Sequence, residues 1–317
     1  METSTERRRL RIVRGSPSEG YTVVTSENME EIGITTVILP DALLKVDARA
    51  FANCTRITSV TLPDSLEKIA EEAFSCTGLT SLILPHSLEI IQREAFRDCI
   101  GIPSLKLPDT LRNVGTRAFA YCTGLTSLTL PRAMDRIGQG AFRDCNGLTS
   151  LTLPNNLFKL EPLAFANCTK LTFFKLPQSL TTIGQDAFCN CSGLTSLVIP
   201  DSVTNIEHGA FRGCSGLTSV SLPHALRQVG VCAFGFCSGL DTRSSVAFRY
   251  PVSRGAFIAW AVGSSRHRSN WSVTALHRLR NVLRLVTSFV LQRREVKSLD
   301  PNGANLVFKG CYFGKQI

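Results

Sequence analysis

Apolar side chains return in one order every 23 residues along most of this chain. Counted from its first leucine, a unit is apolar at positions 1, 4 and 6, as in Leu148, Leu151 and Leu153 or Leu194, Leu197 and Ile199. A polar residue between 4 and 6 gives the period of a strand with one buried face. Proline at position 7, from Pro40 to Pro223, removes an amide donor and stops that strand. Position 10 (Leu66, Leu111, Leu180) and position 13 (Ile69, Val114, Ile183) predict a second extended or bent segment. Glycine at position 14, as in Gly115 and Gly138, permits a tight corner. Ala-Phe at 17 and 18 predicts a short helical turn whose ring fills the unit, and these rings run from Phe51 to Phe234. Self-similarity at a fixed period marks a solenoid, in which each unit closes its core only by stacking on its neighbours.

The unit in full reads Leu125-Thr-Ser-Leu128-Thr-Leu130-Pro131 … Ile137-Gly138 … Ala141-Phe142 … Cys145 … Gly147. This motif resembles the BspA-type leucine-rich repeat, and the resemblance covers residues 34–240. It departs from the commoner leucine-rich repeat, which carries asparagine at position 9. Here that place holds Ser65, Ser87, Thr110 or Ser202, with Asn156 as the lone asparagine. The resemblance implies a leucine-rich-repeat coil stack with a parallel β-sheet face and a role in binding or adhesion, often at microbial cell surfaces. It brings no catalytic residues.

Four segments follow from this reading. Residues 1–33 are an N-terminal extension, partly disordered; 34–240 are nine repeats, the first opening on Ile34, Val37 and Leu39. Residues 241–262 are a degenerate capping repeat, because Leu240 and Ala256-Phe257 keep the period while strand positions 4 and 6 become Arg243 and Ser245. Residues 263–317 are a basic tail. Within it Leu276, Leu279, Leu283, Val286 and Val290 recur three or four apart and predict an amphipathic C-terminal helix, which Asp300-Pro301-Asn302-Gly303 would end.

Of twelve cysteines, nine (Cys54, Cys76, Cys99, Cys122, Cys145, Cys168, Cys191, Cys214, Cys237) fall at one repeat position. A column of small buried thiols suits a narrow interior corner, and reduced thiols suit a reducing compartment. Cys189 and Cys232 are extra cysteines read as surface residues. Met1–Gly20 carries Arg7-Arg8-Arg9 but no apolar run of signal-peptide length, and no stretch reaches the roughly 20 residues of a membrane span. The expectation is a cytoplasmic protein, with the cell surface as the alternative. Asn53, Asn167 and Asn190 head Asn-x-Ser/Thr triplets at one repeat position, which repeat grammar explains as well as glycosylation does; Asn270 heads a fourth.

Charge divides the chain sharply. Residues 34–240 hold 17 basic and 16 acidic side chains, whereas 241–317 hold 13 and 3, so the net +10 belongs to the tail. Arg280, Arg284, Arg293 and Arg294 are its candidate contacts with an acidic partner or membrane surface. The tail's Trp260 and Trp271 sit in no recognised nucleic-acid-binding fold.

The exposed strand positions 3 and 5 are the expected binding face. Position 3 is serine in most units until Phe173 interrupts it, and position 5 mixes Thr129 and Thr152 with Ile83, Lys106, Lys175 and Val198. Phe173 and Lys175, with Lys170 and Phe158-Lys159 in the same region, make an exposed aromatic flanked by lysines, the composition of an interaction hot spot. Ile83, Lys106, Phe173, Lys175 and Val198 are therefore the candidate protein-binding residues. The five histidines, His86, His208, His224, His267 and His277, pair with no nucleophile in a known order and show no zinc spacing. The sequence thus points to a non-enzymatic interaction scaffold for a protein or surface glycan, without cofactor or metal. A polyanion or membrane binder acting through the tail is the rival, and an exported adhesion protein a third reading.

Overall fold

The computed structural model describes residues 34–240, apart from Ala133, Asp135 and His224, and the backbone of two flanking strands, Arg9–Arg11 and Val246–Phe248. The expected C-terminal helix lies outside the described residues. Each unit forms one coil, and all but one of the nine carry two short strands. The first spans positions 3 to 5, as in Ser150–Thr152, where Leu151 is buried between two exposed hydroxyls. The second is a pair at positions 12 and 13, as in Lys159–Leu160, with the apolar residue inside. Strands pair in parallel with their counterparts one unit on, in five short sheets, so Ser127, Ser150 and Phe173 share one row and Thr129, Thr152 and Lys175 the next. Parallel pairing needs a long return connection, and the remainder of each coil supplies it.

Residues 81–83 stand outside this ladder. The coil before them, 57–78, is one residue short, and Pro103 opens the coil after them. Thr126 and Thr149, which stand where Pro103 does, give their amides to the preceding coil at 2.8 and 2.9 Å; proline has none to give.

The phenylalanines form one stack, with ring centroids 5.0–5.5 Å apart and planes within 9°. The Ala-Phe segment around them differs from the short helical turn that its spacing predicts. Amides alternate in destination: Gly140, Phe142 and Asp144 donate to Pro162, Ala164 and Ala166 of the next coil, while Ala141 and Arg143 close turns three residues back on Gly138 and Gly140. Positions 16 and 20 adopt left-handed backbone, with φ near +60° even at Arg117, Tyr121, Asp144 and Leu163. Two left-handed residues four apart prevent a continuous helix, and the segment becomes consecutive β-turns whose spare amides join the coils.

The interior cysteine column has eight members, not nine. In the short coil the missing residue lies after position 21, which leaves Cys76 on left-handed position 20, half-buried, and puts Thr77 in the column. The column does more than fill space. Cys145 Sγ donates to the carbonyl of Phe119 at 3.2 Å, and Cys122, Cys168, Cys191, Cys214 and Cys237 repeat this bond to the phenylalanine one coil back. Thr77 Oγ1 serves the Phe74 carbonyl at 2.9 Å. At position 9, where the commoner repeat has asparagine, the Ser65 and Thr110 hydroxyls donate to the carbonyls of Leu43 and Leu88 one coil back, at 2.9 and 3.0 Å. A short hydroxyl thus does the bridging.

Both ends of the ladder carry strands that the period alone does not place. Arg9–Arg11 pairs with Thr36–Ile38, so part of the N-terminal extension is ordered as a strand. At the other end Val246, not Arg243, stands opposite Val220, and Phe248, not Ser245, opposite Leu222. The terminal strand arrives three residues later than the period predicts.

Candidate interaction face

Strand alternation lifts positions 3 and 5 off the core, and the proline after position 6 ends the strand before a third outward residue. All five residues expected on this face are exposed: Ile83 by 84%, Val198 by 70% and Phe173 by 63%, and Lys106 and Lys175 as well. Phe173–Lys175 lies against Ser150–Thr152, so the aromatic ring and its lysine border a hydroxyl surface. Between them Phe174 turns inward and stacks on Phe188 at 4.6 Å, which anchors this strand more bulkily than the usual leucine. Lys106 and Lys175 share the position 5 row, with Thr129 and Thr152 between them. Neither lysine has an ion pair among the described residues.

A cluster of paired acidic groups sits on another side of the coil. Glu94, whose side chain is 4% exposed, meets Arg93 at 3.1 Å, Arg97 at 3.2 Å and Arg117 at 3.6 Å. Burial alone would raise its carboxyl, but hydrogen bonds from Arg97 and Arg93 outweigh that and hold it below the ordinary 4.5. Arg49 and Glu72 extend the same ion-pair ladder by one coil.

Other candidates from the sequence find structural roles. Cys189 is buried, not a surface thiol, and burial raises it despite Arg212 beside it; Cys232 is half-buried. Asn53, Asn167 and Asn190 occupy left-handed position 20, a backbone that asparagine tolerates well. Asn190 Nδ2 donates to Asn167 Oδ1 at 2.9 Å, and Asn167 Nδ2 to Asp144 Oδ1 at 2.6 Å. Repeat grammar therefore accounts for these triplets. His86 and His208 lie on turns, and no group of three or more metal-ligating side chains occurs among the described residues. Arg280, Arg284, Arg293 and Arg294 lie outside those residues. One feature was missed from sequence: the register puts Arg9 and Arg11 at positions 3 and 5 of an added rung. Its signal was the alternation Arg9-Leu10-Arg11, hidden because it falls off the 23-residue period.

A family model described as a BspA type leucine rich repeat region, six copies long, matches residues 22–149 and 135–247. The chain belongs to the BspA-type leucine-rich-repeat family. A leucine-rich repeat protein from Bacteroides ovatus shares 30% identity over 76% of this chain, with a TM-score of 0.64; the chain spans 64% of that protein's length. The leucine-rich repeat protein of T. pallidum is 29% identical over 58% of this chain and 78% of its own, with a TM-score of 0.47. A leucine rich cell surface protein from Faecalibacterium prausnitzii is 20% identical over 82% of this chain and 91% of its own, at a TM-score of 0.36. No curated protein matches the chain. BspA-type leucine-rich-repeat arrays serve in general as protein-interaction scaffolds. No helix among the described residues is long and apolar enough to cross a membrane.

Proposed function

We propose that this BspA-type array is a non-enzymatic scaffold that binds another protein through strand positions 3 and 5, with Phe173 and Lys175 at the centre and Lys106, Ile83 and Val198 around them. One observation carries the reading: Phe173 is 63% exposed in a row whose ladder neighbour, Ser150, is a serine. A ring left in water on a regular sheet gains nothing for the fold and supplies a large, stiff contact to a partner. The test compares full-length protein with Phe173→Ala for the partners each retains on a column and for urea unfolding. Loss of capture with unfolding changed by less than about 0.5 kcal/mol supports the face. Capture retained by Phe173→Ala refutes it, and a large stability loss makes Phe173 a core residue.

Cysteines committed to S–H···O bonds in the interior, rather than paired as disulfides, support a reducing compartment such as the cytoplasm. Thiol titration of protein from its native source tests this. Oxidised column cysteines would contradict it.

A further inference from the structure

Positions 3 and 5 of the repeats carry no aspartate or glutamate, although the same repeats hold 16 acidic side chains in all. The face's own charges are all basic. Lys106 and Lys175 stand exposed and without ion pairs among the described residues, while Glu71, Glu72, Glu94 and Asp98 pair with arginines on the turn side. The two lysines share one row with two rungs between them. Three strand steps of about 4.8 Å put them about 14 Å apart, the span of about four residues of extended chain.

We infer that the partner on this face is an acidic polypeptide segment, with two carboxylates about 14 Å apart for Lys106 and Lys175 and an apolar side chain for Phe173. This rests on the strand face being the binding face. Polypeptide is favoured over an anionic glycan by Val198 and Ile83, 70% and 84% exposed at the same position. Aliphatic surface is covered by apolar side chains and left bare by a sulfated sugar. Thr129 and Thr152, lying between the lysines, offer hydroxyls to a bound backbone and add no charge of their own.

The test uses full-length protein and a fluorescent peptide with two glutamates four residues apart and a leucine beside the second. Its comparison probes are the same composition with adjacent glutamates and a heparin oligosaccharide. Binding is read by anisotropy at low salt, where exposed charges are least screened. Lys106→Glu with Lys175→Glu should weaken the spaced peptide at least tenfold, and Phe173→Ala three- to fivefold. Lys45→Glu with Lys68→Glu, on the second strand row, should change it less than twofold. The adjacent-glutamate peptide should bind more weakly than the spaced one. Should charge reversal impair folding, Lys106→Gln with Lys175→Gln gives the same ordering.

Four results overturn the inference: no binding of the spaced peptide, equal loss in the Lys45/Lys68 control, loss only on Arg293→Glu with Arg294→Glu in the tail, or tighter binding of heparin through the same lysines. If Phe173→Ala weakens the peptide and the lysine pair does not, the face survives and its acidic partner falls. If neither change matters, both readings fall together.

Discussion

Replacing Cys145 with serine should alter how the protein answers alkali more than how it stands at neutral pH. The Cys145 thiol is buried and bonded to the Phe119 carbonyl, and burial pushes it up to about 12 from an ordinary 9.0. The folded state therefore keeps the proton to a higher pH than the unfolded chain. Its contribution is full below pH 9 and falls as pH rises from 9 towards 12, by about 1.4 kcal/mol per unit once the unfolded thiol is ionised. Between pH 8 and 10 the loss is about 1 kcal/mol. Burial likewise raises Cys99, Cys122, Cys168 and Cys191, and Cys214 is raised by its bond with Cys237 and by burial. The shifts share one direction, so these thiols add to the loss at Cys145 as pH rises. Serine does not ionise and keeps the donor, as the Thr77 hydroxyl does in the short coil. Urea unfolding followed by circular dichroism at pH 7, 8, 9 and 10, with reductant present, reads the effect. The gap between parent and Cys145→Ser should narrow by about 1 kcal/mol from pH 8 to 10, while lysine and tyrosine titration cancels between the two. Parallel curves over that range would show that the column thiols ionise as freely folded as unfolded.

Phe142, stacked between Phe119 and Phe165 at 5.5 Å on each side, should cost about 3–5 kcal/mol as Phe142→Ala, measured by urea unfolding. Two nearby glycines should separate strain from clash. Gly140→Ala faces its nearest atom at 3.5 Å and should lose only the left-handed penalty of about 1–2 kcal/mol, whereas Gly138→Ala would set its Cβ 2.5 Å from the backbone of Gly115 and should lose more, as read by thermal midpoint. Because the folded Glu94 carboxyl is held below 4.5, its contribution is present above that pH and fades as pH falls through the folded value. Glu94→Gln should cost about 1–2 kcal/mol at pH 7, discounted for its half-exposed arginines, and flatten the acid limb of a stability–pH curve.

The side-chain pattern was enough to place both strand rows, because burial on alternate positions is written directly into residue type. Leu151 between Ser150 and Thr152 is read the same way in sequence and structure. The exposed Phe173 and Lys175 were legible for the same reason. What escaped depends on backbone register. Cys76 looked like a column member by type although it stands two residues, not three, after its phenylalanine, and the path of the short coil puts Thr77 in that place. The β-turn run was hidden because left-handed φ at Arg117 or Leu163 goes against residue preference and is imposed by bonds to the next coil. The late arrival of Val246–Phe248 and the pairing of Arg9–Arg11 depart from the period, which was the only guide available.

The alternation of amide destinations has a genetic consequence. Phe142 gives its amide to Ala164, and Phe165 gives its own to Ala187 in the same geometry. Excising or duplicating one stretch of 23 residues between equivalent points therefore rejoins donor to acceptor at the new junction. Unequal crossing-over within such a gene can lengthen or shorten the array while every surviving rung keeps its bonds, so copy number is free to vary among alleles without a refolded intermediate.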